Sequence, residues 1–282
     1  ADAFGKLGPS SFTMAMLDEG TKDRSALEIS AEAEALGANI TTNSNLDMST
    51  VRLSALKTNL EPSLELFADI VRDPAFADAE IERLRPRWLA NIQQEKNQPV
   101  GIALRTLPPL IYGEGHAYGI PLTGSGTEAS ISSLTRDDLV QFHETWLRPS
   151  NATLFVAGDT TMDEILPLLN KYFGNWKENR KAVPQKNLVE VDIAPESRVF
   201  IIDKPGAPQS LILAGHIAPP TGVENNIDIQ TMNDIIGGSF TARINMNLRE
   251  DKGWAYGAYT FMPEAQGQRV WLSYAPVQTD RT

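Results

Sequence analysis

The chain has 282 residues, 41% of them hydrophobic and 22% charged, enough apolar material for two domains of ordinary size. Its formal net charge of −11 comes with no compensating run of lysine and arginine, which argues against nucleic acid as a partner. It has no cysteine, hence no disulfide, and no apolar run long enough to span a bilayer as a helix. The composition does not fix a compartment; a bacterial periplasm is favoured over the cytoplasm.

In chain order, Ser25 and Glu28 form a capping box that opens a helix to Leu36, with Gly37 as its left-handed end. Residues 38–42 and 48–56 read as two strands around an Asn43, Ser44, Asn45 turn. Apolar positions 64, 66, 67, 70 and 71 predict an amphipathic helix over 61–72. A longer helix follows over 78–98, which Pro86 must kink or break, then another over 101–112. The glycine-rich loop 113–126 has neither the spacing nor the basic character of a phosphate cradle. Thr135 caps a helix to Leu147, 151–157 reads as a strand and 162–173 as a helix.

A polar stretch from 177 to 194 reads as a linker, so we expect a first domain over 1–176 and a second over 195–282. The second opens with strands at 198–203 and 209–217 around a Lys204, Pro205, Gly206 turn. Helices from about 223 and 239 and strands at 256–262 and 269–275 complete it. Strand, strand, helix, helix, strand thus occurs twice, and Gly8, Pro9, Ser10, Ser11, Phe12 resembles Gly237, Gly238, Ser239, Phe240. Two homologous α+β domains fit this weak internal repeat.

The stretch 237–257 carries the most chemistry. Ser239 is placed to cap a helix running to about Arg249, and Gly253 to end it, before a strand begun by Tyr256. A helix end and a strand start would bring one guanidinium and one phenol to the same edge, where they can bind a peptide carbonyl and steady an oxyanion. The competing reading is a surface arginine beside Glu250 and Asp251, with a half-buried strand tyrosine.

Near the start, Gly8, Phe12, Met16, Gly20 and Thr21 preserve the frame G-x-x-HFLEH-M-x-x-x-GT. This resembles the zinc helix of the pitrilysin or insulinase family of metallopeptidases, which includes the mitochondrial processing peptidases. In that frame Ser11 and Ala15 stand at the two zinc histidines and Met14 at the general-base glutamate. The third ligand, a glutamate on a later helix, falls on Asn91 within 81–99. The loss also stands without the family. Catalytic zinc takes three ligands drawn from His, Cys, Asp and Glu, and His116, His143 and His216 are far apart in sequence. A thioether cannot take a proton from water.

The resemblance continues through Trp146 to Asn151, Val156 to Asp159, Asp203 to Gln209 and Leu248 to Gly253. It implies a fold of two homologous α/β sandwich domains, the LuxS/processing-peptidase-like half of a clamshell. It also implies that Arg249 and Tyr256 act in trans as substrate and oxyanion ligands. The expected function is then a non-catalytic half, binding no zinc itself. It would close a chamber over an unfolded peptide against a zinc-bearing H-x-x-E-H partner half. The alternatives are a purely structural assembly subunit and, weaker, a peptidase with a displaced metal. Relatives of the family have further elements on both sides, so a piece of a longer chain is expected.

Overall fold

The computed structural model describes residues 7–178 and 181–282. Its helices and strands run α1 (Pro9–Ala15), α2 (Ala26–Leu36), β1 (Asn39–Ser44), β2 (Ser49–Ser54), α3 (Leu60–Arg72), α4 (Asp78–Asn97) and α5 (Pro99–Tyr112). There follow α6 (Glu128–Ser133), α7 (Arg136–Trp146), α8 (Met162–Phe173), β3 (Gln209–Ala218), α9 (Asn226–Asn233), β4 (Tyr259–Phe261) and β5 (Arg269–Gln278). Between α9 and β4 lie two π-helical stretches, Asp234–Gly238 and Met246–Asp251, flanking a single α turn, Arg243–Asn245. The fold is α+β, with helices, a two-stranded hairpin and a three-stranded sheet among the described residues. Contacts group the chain into two compact units, 1–92 with 124–186, and 93–123 with 187–282.

In the first unit the starts of α2, α6, α7 and α8 are set by side chains. The Ser25 Oγ accepts from the Glu28 N–H (3.3 Å) while the Glu28 carboxylate accepts from the Ser25 N–H (2.8 Å). The same reciprocal box recurs at Thr127, Thr135 and Thr161. Each such cap contributes about 1 kcal/mol by satisfying donors that a helix start leaves open. Gly37 ends α2 at φ 62°, in the left-handed region that glycine enters without a Cβ clash. The hairpin β1–β2 is antiparallel, with Ile40 opposite Leu53 and Thr42 opposite Val51. Its turn is held by the Asn45 side-chain oxygen, which accepts from the Met48 N–H at 2.8 Å.

The core of this unit gathers Phe12, Met14, Met16 and Leu17 from α1 and its end, Ile70 from α3, Ile81, Leu84 and Ile92 from α4, and Leu139 from α7. The Phe12 ring meets Trp88 edge-on at 5.3 Å, joining α1 to α4. A smaller cluster packs α3 on α8, with Phe67 and Phe173 at 6.0 Å. Proline at 86 neither breaks nor ends α4. The neighbouring Arg85 guanidinium donates to the Leu134 carbonyl at 2.8 Å and to that of Ile131, tying this part of the helix to α6.

In the second unit β3, β5 and β4 form an antiparallel sheet in that order, with Tyr274 of β5 opposite Leu213 on one side and Tyr259 on the other. Helix α5 packs on β3. At its end Tyr112 stacks on His116 at 4.8 Å and donates to the Gln268 carbonyl at 3.0 Å. Arg269, nearly fully buried, is held by the Pro219 carbonyl (2.9 Å) and the Asn226 side chain (2.5 Å). Burial lowers its affinity for the proton.

Two expected strands do not form. Residues 152–157 and 198–203 belong to no helix or ladder among the described residues, and their apolar side chains are exposed, Phe155 at 88% and Ile201 at 89%. An apolar, β-branched run supplies the propensity for a strand but not the neighbour that completes one. The strand expected over 256–262 shortens to Tyr259–Phe261, because Tyr256 lies in a bend ahead of it.

Candidate functional site

The expected helix from Ser239 to Arg249 is the main structural correction. Ser239 is extended (φ −135°, ψ 167°) and caps nothing; the two glycines before it close a π turn instead of opening a helix. A Cβ on Gly237 would lie 2.6 Å from the Thr260 N, and one on Gly238 2.3 Å from the Asp234 carboxylate. These glycines are there for close approach. The chain turns once at Arg243–Asn245 and widens again into the π stretch that carries Arg249. Such wide turns shift side chains off the 3.6-residue register and often occur at functional sites.

The Lys252, Gly253 break then folds the chain back on itself. Gly253 takes φ 63°, its N–H donates to the Arg249 carbonyl (3.1 Å), and the Trp254 N–H to the Leu248 carbonyl (2.9 Å). This turn brings Tyr256 to Arg249. The guanidinium carbon lies 5.1 Å from the Tyr256 ring centre and 4.7 Å from that of Phe240, so the cation is clasped between two aromatic rings. Its Nε is 3.2 Å from the Glu250 carboxylate. Tyr256 is 83% exposed and Phe240 52%, leaving the phenol accessible. The structure therefore brings Arg249 and Tyr256 together, and it retains the Glu250 contact of the competing reading as well.

Phe240 was not identified as a site residue from sequence. An aromatic residue nine positions before an arginine has no helical or strand phase to mark it, and only the two π stretches bring it round.

The positions of the lost zinc motif lie elsewhere in the chain, in the first unit. Ser11 and Ala15 are half-buried on α1, and Met14 is buried in the core. The glycine-rich loop ends against this helix: a Cβ on Gly124 would lie 3.0 Å from the Ser11 Oγ, and one on Gly126 2.3 Å from the Leu7 carbonyl. Asn91 is exposed on α4, three residues beyond the Trp88 that meets Phe12. A hydroxyl, a methyl, a buried thioether and a neutral amide are not a zinc ligand set, so these residues do not fit the metal.

Asp18 and Glu19 follow α1, and burial pushes both carboxyls above their usual range; Glu19 pairs with Arg83. Among the described residues no three His, Asp or Glu side chains gather where one ion could be held. The histidines are engaged separately: His116 accepts from the Tyr118 N–H (3.0 Å), His143 Nε2 meets the Val71 carbonyl (2.7 Å), and His216 Nδ1 the Ile217 carbonyl (2.7 Å).

Comparison with known proteins identifies the family of the chain. Residues 4–118 match the insulinase family, peptidase family M16, and residues 133–282 match the family described as the peptidase M16 inactive domain. A zinc protease of Mycobacterium leprae, itself uncharacterized, is 25% identical over 255 residues, 90% of this chain and 56% of the relative. The human mitochondrial-processing peptidase subunit beta is 30% identical over 168 residues, 60% of this chain and 34% of that one. The crystal structure of a peptidase M16 inactive domain from Pseudomonas fluorescens superposes with a TM-score of 0.87 at 23% identity, over 98% of this chain and 66% of that chain. The chain thus spans a little over half of the bacterial relative. Two family matches that together take in most of the sequence, one of them covering more than half of it, make the chain a member of the M16, or pitrilysin and insulinase, family of peptidases.

Proposed function

We propose that this chain is a non-catalytic half of a zinc metallopeptidase. It would close the peptide chamber and lend Arg249 and Tyr256 to a zinc site on a partner half bearing H-x-x-E-H. The observation that carries the reading is the clasp of Arg249 between Phe240 and Tyr256, with the phenol left exposed, in a chain whose own zinc positions are Ser11, Met14, Ala15 and Asn91. When bound to the partner half, zinc would supply the activated water. This chain's part is different: the Tyr256 hydroxyl donates to the developing oxyanion, and Arg249 holds a neighbouring carbonyl of the unfolded substrate.

Stacking restricts the swing of the guanidinium, so less conformational freedom is lost on binding substrate. The M. leprae relative is named as a zinc protease and the human one as a subunit. Both names are consistent with a two-part assembly.

The test is hydrolysis of a fluorogenic unfolded peptide by the chain alone and mixed with a zinc-bearing half of the same family. The chain alone should be inactive and bind less than about a tenth of an equivalent of zinc. In the mixture, Arg249→Ala and Tyr256→Phe should each lower the rate about a hundredfold, the usual worth of one such donor. Full activity of both variants would leave the scaffold reading, in which assembly matters and the pair does not.

A further inference from the structure

We propose that Asn245 is the positioning residue of the Arg249 and Tyr256 pair. Its buried side-chain amide sets the distance between the chain entering at Phe240 and the chain leaving through Ala258, and so closes the aromatic clasp on Arg249. The inference rests on the reading of Arg249 and Tyr256 given above.

Asn245 has no exposed surface. It ends the single α turn, immediately before the π stretch that carries Arg249. Its Nδ2 donates to the Phe240 carbonyl at 2.7 Å, and its Oδ1 accepts from the Ala258 N–H at 3.0 Å. The two main-chain partners fix which way the amide points, since a carbonyl only accepts and an N–H only donates. One partner is the main chain of Phe240, whose ring forms one wall of the clasp. The other lies two residues past Tyr256, whose ring is the second one within cation–π reach of Arg249.

No ladder or α-helical bond takes over this task. Phe240 lies outside any helix or strand, and Ala258 precedes β4. The segment between them is π-helical and bent; backbone bonds such as Gly253 N–H to the Arg249 carbonyl hold its individual turns, but the Asn245 amide is what joins Phe240 to Ala258. A buried primary amide presents a donor and an acceptor turned opposite ways, so it can bridge a carbonyl and an N–H that lie on either side of it. Aspartate has nearly the same shape but offers the Phe240 carbonyl a second acceptor, so it should push that segment away. Alanine leaves both main-chain groups unpartnered.

The test uses the whole chain. The side-chain Nε–H resonance of Arg249, assigned by its loss in Arg249→Lys, should be displaced upfield by the two rings. In Asn245→Asp and Asn245→Ala that displacement should vanish while the rest of the amide spectrum stays folded. With a zinc-bearing half, Asn245→Ala should lose about a hundredfold in rate, the scale of a 1 Å misplacement. Added to Arg249→Ala it should cause no further loss, because the two act as one unit.

An unchanged Arg249 resonance in a folded variant would overturn the proposal, as would losses that multiply. If Arg249→Ala alone is harmless, the substrate-carbonyl role of Arg249 falls, and the resonance still decides the role of Asn245. If both Asn245 variants unfold, hydrogen exchange in the unaltered chain decides. A protected Ala258 N–H is expected, and rapid exchange there would overturn the proposal.

Discussion

Two stretches of this chain share an opening of glycine, serine and phenylalanine, and they have opposite fates. At Gly8 the opening starts α1, whose Phe12 and Met14 are sealed in the core of the first unit. At Gly237 it closes a π turn, after which Phe240 faces outward against a guanidinium. The contrast follows from what each stretch still carries. On α1 the positions aligned with the zinc motif are Ser11, Met14 and Ala15, side chains that pack against the core and cannot hold a metal. The second stretch kept a cation, a phenol and a buried amide, and its irregular backbone holds them at the surface. A motif that loses its polar groups becomes structure, whereas one that keeps them continues to constrain the backbone.

The contrast can be broken from either side. The largest effect is expected at Phe12→Ala, which removes a fully buried ring from its edge contact with Trp88. About 3–5 kcal/mol of unfolding free energy should be lost, read from urea denaturation. Next is Gly237→Ala, where the added Cβ meets Thr260 at 2.6 Å; about 1–3 kcal/mol should be lost, with the clasp disturbed as Asp234–Gly238 shifts. A loss at Gly237 as large as that at Phe12 would show the second stretch to be equally a core element.

Acid should act on the first unit through His143. Burial lowers its proton affinity below the ordinary value near 6.5, while the unfolded chain keeps that value. The unfolded state therefore takes up the extra proton, and stability present above pH 6.5 is lost as the pH falls below it. The melting temperature should drop between pH 7 and 5, and drop less in His143→Gln. The smallest effect is expected at Phe240→Leu, which removes one wall of the exposed clasp. Only about 0.5–1 kcal/mol of cation–π attraction is at stake, and the urea midpoint should hardly move.

How legible these features were in sequence depended on how local their causes are. The box at Ser25 and Glu28 and the end at Gly37 are complete within a few residues, so pattern and structure coincide there. Thr135 and α7 follow the same rule. Residues 152–157 and 198–203 read as strands from their side chains, but pairing depends on a second segment that no local pattern encodes. Around Arg249 the pair itself was visible, because Gly253 marks the reversal that returns Tyr256 to it. The π turns were not, because a serine cap and a glycine end mark where a helix can start and stop but not the width of its turns; with them went Phe240 and the amide of Asn245.

As a solute, the chain is an acidic particle bearing two adhesive ribbons. Segments 152–157 and 198–203 lie outside any ladder among the described residues and expose apolar side chains such as Phe155 and Ile201, which favour association between chains. The net charge of −11 holds molecules apart at low ionic strength. Salt shortens the reach of that repulsion to about 10 Å at 0.1 M and leaves the ribbons unchanged. The isolated chain should therefore behave contrary to ordinary salting-in: dispersed in dilute buffer, and associating as salt is added.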